Sequence, residues 1–431
     1  MTKWANPTLY PDGGSDGSFY SSQEVRGAVP SLLSRLLVGG AIFVMPLRPE
    51  GRSGTEYLDF VPMLAEPLNQ ISKYGLYAAL LFFAFVAIKF FLLERRVLQP
   101  PGYVFYIFAA VNIYIFARMV VYDAADLPRF VTAILLILVT FVLYSHPFPA
   151  ESFRYYFRTA GQLLLIGTLW QYVRDPSIIM WNNRWMGIVN HPVFLALFSA
   201  IYGIIAFSFA LESERTGKRV WAFVEFCAFS LLIVLSGSRT GLLTMGCGVG
   251  AMVFAHGNKT RNHSLGFLFL FSALLAGMVL VSTDLGSSLF DEDNRVLSTQ
   301  DTRSKAWATQ LATFEENPLF GSGYTDRSES SFLAALSIAG LVGGLGYLLF
   351  FFSGLSRAIA VIFNFGGRYD HGSIGFLTCA SLLLALLAAS LVEGFAIMGI
   401  QVVSTGIIAL THSIYVLERE TIDLNSLSRD V

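Results

Sequence analysis

Long apolar runs separated by short polar loops recur along most of the chain, a rhythm that predicts membrane-spanning helices. Twelve runs have this character: 31–47, 74–93, 102–121, 128–145, 157–173, 191–211, 219–236, 241–256, 264–282, 331–353, 373–391 and 400–417. The weakest two are 31–47, interrupted by Gly39-Gly40, and 241–256, which is rich in glycine. The expected fold class is all-α: a polytopic membrane bundle of about twelve helices with a long external loop. Residues 1–30, polar and rich in Gly, Ser and Pro, read as a disordered cytosolic tail with no secretory signal. Residues 31–417 form the expected membrane domain, and 418–431 a second cytosolic tail.

Composition sharpens the picture. The 431 residues are 54% hydrophobic and only 14% charged, with mean hydropathy +0.59. A water-soluble domain carries about 25% charged residues, and a larger core does not close that gap because core fraction grows slowly with size. The net charge of −1 lacks the basic face that nucleic acid requires. Cys227, Cys247 and Cys379 all fall in apolar runs, so neither a disulfide framework nor a zinc site is expected.

Lys and Arg in the loops set the orientation. With the N-terminus inside, sixteen lie on the inner side and eleven on the outer, while Lys89 and Arg118 fall within spans. Both termini are therefore expected in the cytoplasm. Seven of the eleven outer residues lie in the loops 174–190, 237–240 and 283–330. Arginine on the translocated side works against the orientation signal, so a chemical reason is worth seeking.

Three constellations sit in these loops. In the first, Arg184-Trp185-Met186-Gly187 precedes Asn190-His191-Pro192 at the mouth of the sixth span. A guanidinium there is a permanent cation with forked donors suited to phosphate, or, with Trp181 and Trp185, an interfacial anchor. In the second, Ser236-Gly237-Ser238-Arg239-Thr240-Gly241 is a hairpin so short that Arg239 stands at the membrane surface. It offers donors to an anion, or it is a tight turn with an outward-reaching arginine. In the third, loop 283–330 predicts a helix from Thr302 to Asn317 with an apolar face of Ala306, Trp307, Leu311 and Phe314, ended by Pro318 and Gly321. Such a helix would lie on the bundle as a lid. Arg303, Lys305, Asp326, Arg327 and Glu329 flank it, as solvated charges or as part of a site.

Within the spans, Arg118 is expected near the outer end, pairing with Asp123 or joining the site, and Glu225 as a deeper acceptor between helices. Phosphate-loop, metal-carboxylate and nucleophile-elbow motifs are missing from the sequence, which leaves nucleotide-driven transport and sugar-nucleotide chemistry unsupported. No internal repeat is visible, which weakens an inverted-repeat transporter.

The ordered pieces Arg184-x-x-Gly187 with His191-Pro192, Ser236-x-Ser238-Arg239-x-Gly241, Arg303-x-x-x-Trp307, Pro318-Leu319-Phe320-Gly321-x-Gly323, and Ser331-Phe332-Leu333 leading to Ala339-Gly340-Leu341-x-Gly343 carry a resemblance. Over about residues 160–355 the chain resembles the O-antigen polymerase and O-antigen ligase superfamily, the Wzy-like membrane glycan polymerases. The resemblance implies metal-independent, inverting glycosyl transfer at the periplasmic face of the bacterial inner membrane, with no cofactor. The donor it implies is an oligosaccharide on undecaprenyl diphosphate, with membrane lipid around it and a chain-length-regulating co-polymerase as a further expected partner. By the same resemblance, Arg239 and Arg303 clamp the diphosphate, whose developing charge needs fixed cations where no metal is used. Arg184, His191, Ser238, Trp307, Arg327 and Arg118 are the expected substrate-binding residues. Ligases of the family carry a histidine just before the tenth span, where this chain reads Ser328-Glu329-Ser330-Ser331. Glu329, then Asp326, is therefore the expected acceptor base, and polymerase is favoured over ligase. A transporter or flippase of a lipid-linked anion is the alternative from another class, and a non-catalytic assembly subunit a further one.

Overall fold

Helices dominate the computed structural model, which describes residues 30–44, 103–122, 150–174, 180–181, 184–189, 191–260, 304–323, 330–365 and 374–393. Eight expected spans have a helix there: α1 Leu32–Val44, α2 Tyr103–Val121, α3 Ala150–Arg174, α4 Pro192–Glu212, α5 Thr216–Leu235, α6 Arg239–Thr260, α8 Ser331–Asn364 and α9 Ile374–Ser390. The helix expected in loop 283–330 is α7, Ser304–Glu316. Spans 74–93, 128–145, 264–282 and 400–417 lie outside the described residues, as do Arg303, Asp326, Arg327 and Glu329. Three of the described helices, α4, α6 and α8, have both the length and the hydropathy to cross a membrane. The sequence reading contained no strands; a two-residue antiparallel pair, β1 Met180–Trp181 with β2 Arg184–Trp185, closes the loop before α4.

The bundle centres on α4, α6, α8 and α9. Helix α4 packs on both α5 and α6, and α9 packs against α6 and α8. Nearly every residue of α9 is buried. The glycines that made 241–256 a weak span are contact points: a Cβ on Gly241 would come within 2.5 Å of Ala196 Cβ, and one on Gly248 within 2.8 Å of Ile204 Cγ1. Small residues of this kind let helices approach closely where burial of apolar surface supplies little drive. On the outside, Ile166, Trp170, Trp221, Leu345, Leu349 and Phe352 are exposed, an apolar exterior that matches lipid better than water.

Arg154, just before the expected span 157–173, and Arg158, at its start, both lie within α3. Arg154 is fully buried, with Nη2 2.7 Å from Glu212 Oε2 and Nε donating to Ser208 Oγ at 3.1 Å. Arg158 donates to Glu225 Oε2 at 2.8 Å, and Gln162 Nε2 donates to Glu225 Oε1 at 2.7 Å. Both guanidinium groups lie over the Phe209 ring, at 4.3 and 4.6 Å from its centroid. The α3 helix starts early because these partners, on α4 and α5, satisfy charges that an apolar setting would otherwise penalise. Glu225 is thus the interhelical acceptor expected of it.

The largest departure is α8, expected as one straight crossing. Gly340 has φ 60° and ψ −155°, and there the helix reverses. Phe332 and Tyr347 have ring centroids 6.1 Å apart, although fifteen residues of straight helix span roughly 22 Å. Residues 331–339 form a short arm folded back along 341–364, and Gly343 and Gly344 make room for it beside Ala335 and Leu336. The longer arm, roughly 36 Å of helix, is by itself long enough for a bilayer.

The hairpin tip frees backbone groups, and the segment after α7 meets them. Leu341 N–H donates to Pro318 O at 2.8 Å, Ser322 N–H and Oγ each donate to Ser337 O at 2.9 Å, and Gly323 N–H donates to Ile338 O at 3.0 Å. Non-helical backbone inside a bundle is tolerated when the protein itself supplies such partners. The face of α7 also differs from expectation. Ala306, Gln310 and Thr313 are buried and Trp307 and Phe314 half-buried, while Leu311 is 43% exposed, so the buried face is turned from the expected one toward Gln310 and Thr313.

Candidate functional site

The ends that the sequence places on one side of the bundle do meet. Arg184 Nε donates to Ser236 O at 2.8 Å and its Nη2 to Gly237 O at 3.3 Å, joining the β2 strand to the turn between α5 and α6. Tyr172 at the end of α3 stacks against Trp185 at 4.9 Å. Arg184 was expected to bind substrate; here two of its five donors hold the neighbouring loop in place.

That loop begins α6. Gly237 turns the chain with φ 62°, and Ser238, buried, accepts the α6 Gly241 N–H at Oγ (3.4 Å). Ser238 is thus an N-cap, a role for which its short side-chain oxygen suits it. Arg239 follows as the first residue of α6, with its side chain exposed. Next to it, Thr240 Oγ1 donates to Glu393 Oε1 at 2.8 Å. Glu393 lies just beyond α9 and is half-buried, and its backbone carbonyl accepts Ser331 Oγ at 2.7 Å. Ser331 opens the short arm of α8 with no side-chain cap bond at Ser330, and both serines are buried. Two helix N-termini, of α6 and of the α8 arm, therefore meet at one point beside an exposed arginine. The dipoles of both helices favour an anion there.

His191 turns out to cap α4: its Nδ1 accepts the Val193 N–H at 3.2 Å, with Pro192 at the first helical position. The ring also contacts Phe194 at 5.3 Å. In neutral His191 the accepting Nδ1 leaves the proton on Nε2. Loss of the cap by His191→Ala is expected to cost about 1 kcal/mol. His191→Asn should restore most of it, as read by thermal unfolding of the detergent-solubilised protein. Equal destabilisation by Ala and Asn would remove the capping role.

Arg118 and Trp307 belong to a second group, around the α8 hairpin tip. Arg118 Nη2 donates to Gly321 O at 2.7 Å and to Tyr122 Oη at 3.2 Å, with its guanidinium 4.7 Å from the Tyr122 ring centroid. It braces the crossover segment instead of entering the anion corner, because Gly321 presents a carbonyl within its reach. Trp307 is half-buried on α7. The α8 short arm links the two groups: Ser331 lies in the first and Gly340 in the second, roughly 13 Å of helix apart.

Glu393 is the site residue that sequence reasoning missed. A lone glutamate after the eleventh span carries no motif; only its contact with Thr240 and Ser331 singles it out. Among the described residues, no three His, Cys, Asp or Glu side chains cluster to hold a metal. No curated protein matches the chain. Residues 225–348, which contain the Arg239 turn, α7, the short arm of α8 and the start of its long arm, match the family described as O-antigen ligase (Wzy_C), and this match supports the resemblance to the O-antigen polymerase and ligase superfamily.

Proposed function

We propose that the protein is a membrane glycosyltransferase that polymerises undecaprenyl-diphosphate-linked oligosaccharide repeats at the periplasmic face of the bacterial inner membrane. The observation that carries this reading is the corner where α6 and the α8 arm both present their N-termini beside Arg239. A lipid diphosphate leaving group gains one further negative charge as its bond to the anomeric carbon breaks, and fixed positive ends at this corner would meet that charge. Arg303, outside the described residues, supplies the second cation of the clamp. The lid helix α7 shields the glycosyl donor from water.

A ligase reading has its own support in the description of the matched family. Polymerase is preferred because residues 283–330 contain no histidine to serve as the ligase base. A transporter would use charge at mid-depth. Glu225 stands halfway along α5, but both its oxygens are held by Arg158 and Gln162, an arrangement suited to fixing helices.

The test is purified protein given lipid-linked repeat units extracted from the producing cells, with products sized on a gel. A ladder of chain lengths supports polymerisation, and transfer of preformed glycan to lipid A-core supports the ligase. Absence of both overturns the transferase. Chelation by EDTA is expected to leave the rate unchanged, and a strict requirement for magnesium or manganese would overturn the metal-independent mechanism.

A further inference from the structure

We propose that Glu393 is the acceptor base of the transfer reaction. The inference rests on the transferase reading and adds a residue to it. Glu393 takes the proton of the acceptor hydroxyl as that oxygen bonds to the anomeric carbon of the donor. The bond from that carbon to the diphosphate oxygen breaks, and its electron pair leaves with the lipid diphosphate. The proton passes to water when products depart.

Four features of the corner support the assignment. First, Glu393 and Arg239 are coupled through adjacent residues: Thr240 Oγ1 holds the carboxylate at 2.8 Å, and Arg239 precedes Thr240 in the first turn of α6. The carboxylate is thereby held one residue along the chain from the arginine proposed to meet the leaving group. Second, its backbone is fixed at both polar atoms, with N–H donating to Ala389 O at 3.0 Å and C=O accepting Ser331 Oγ at 2.7 Å. A base must be held within hydrogen-bond reach of its proton, and rigid supports accomplish that. Third, Glu393 is half-buried, sheltered yet reachable.

Fourth, other described carboxylates are placed for different work. Glu225 is closed in by Arg158 and Gln162. Glu212 pairs with Arg154 at the opposite end of α4 from His191. Glu315 and Glu316 stand exposed at the end of α7.

The competing role is a structural tie between α9 and α6, and two substitutions separate them. Glu393→Gln keeps an acceptor for Thr240 but cannot take a proton. Thr240→Val breaks the tie and leaves the carboxylate. With extracted lipid-linked repeat units, Glu393→Gln should slow chain extension about 10²-fold or more with little change in donor KM, and Thr240→Val should lose far less. Sodium azide gives a second readout, because it attacks the anomeric carbon without needing deprotonation. In Glu393→Ala, azide should restore donor turnover, yielding glycosyl azide and lipid diphosphate.

Glu393→Gln within a few-fold of the parent rate overturns the proposal. So do equal losses in Glu393→Gln and Thr240→Val without azide rescue, which would mark a tie alone. If Glu329→Gln shows the loss and Glu329→Ala the rescue instead, the base lies in residues 283–330. A parent protein that turns over no donor removes the transferase reading itself, whereas an active parent with an active Glu393→Gln removes only this inference.

Discussion

Gly340→Ala is expected to dismantle the end of the bundle around the α8 tip, with a loss on the order of 4 kcal/mol in stability and little folded protein recovered. The backbone at φ 60° and ψ −155° belongs to a region that only glycine occupies readily, and another residue there costs about 1–3 kcal/mol. Space compounds the strain. A Cβ on Gly340 would land on the Leu319 carbonyl and within 2.6 Å of Gly321 N, both backbone atoms. Those atoms cannot retreat alone, because Pro318 O, Ser322 N and Gly323 N are bonded to the two arms of the hairpin. Moving them strands polar groups in an apolar surrounding, which costs several kcal/mol each. Gly321→Ala should behave alike, since Gly321 also has positive φ and faces Ile338 backbone. The control is Gly246→Ala on α6, where nothing lies within 4 Å of the added methyl. There, better helix propensity should leave stability equal or up to about 1 kcal/mol higher. Thermal unfolding in detergent checks all three, and equal midpoints for Gly340→Ala and Gly246→Ala would contradict the hairpin.

Arg239→Ala is expected to reduce glycosyl transfer roughly 10³-fold, the scale seen when a fixed donor to developing charge is removed. Stability should barely change, because the side chain is exposed at the start of α6 and the cap is made by Ser238. Arg239→Lys should recover little, since a point charge lacks the planar fork that engages two phosphate oxygens. Arg184→Ala provides the contrast. Its guanidinium holds the Ser236 and Gly237 carbonyls, so its loss should lower both stability and transfer by shifting the turn that carries Arg239. A full product ladder from Arg239→Ala would remove the clamp from the mechanism.

Much of the local structure was legible in the residues. Pro192 after His191 marked the start of α4, and Pro318 with Gly321 marked the end of α7, because each forbids or permits a specific backbone state. The turn at Ser236-Gly237-Ser238 was legible too, being too short for anything but adjacent antiparallel helices. The face of α7 was read less well. Periodicity pointed to Ala306, Trp307, Leu311 and Phe314: Ala306 is buried and Trp307 and Phe314 half-buried, but Leu311 is exposed while Gln310 and Thr313 are buried. Arginines that composition labelled alike also proved different in kind. Arg239 is presented at the α6 N-terminus, Arg184 and Arg118 hold carbonyls, and Arg154 and Arg158 pair within the bundle.

The sequence by itself determined the solvent the protein is built for, the helical character of the eight apolar runs that the structure describes, and the connecting segments in which Arg184 and Arg239 lie. These follow from hydropathy, chain length and local backbone preference, which act over a few residues and need no knowledge of neighbours. Only the tertiary structure decided that α8 reverses at Gly340, that residues 318–323 complete its tip, and that Glu393 lies against Thr240 and Ser331. In each case the deciding force is pairing of polar groups far apart in sequence, 153 residues apart for Thr240 and Glu393. Inside an apolar bundle such groups must find partners within the protein, and which partner is in reach depends on how the helices pack.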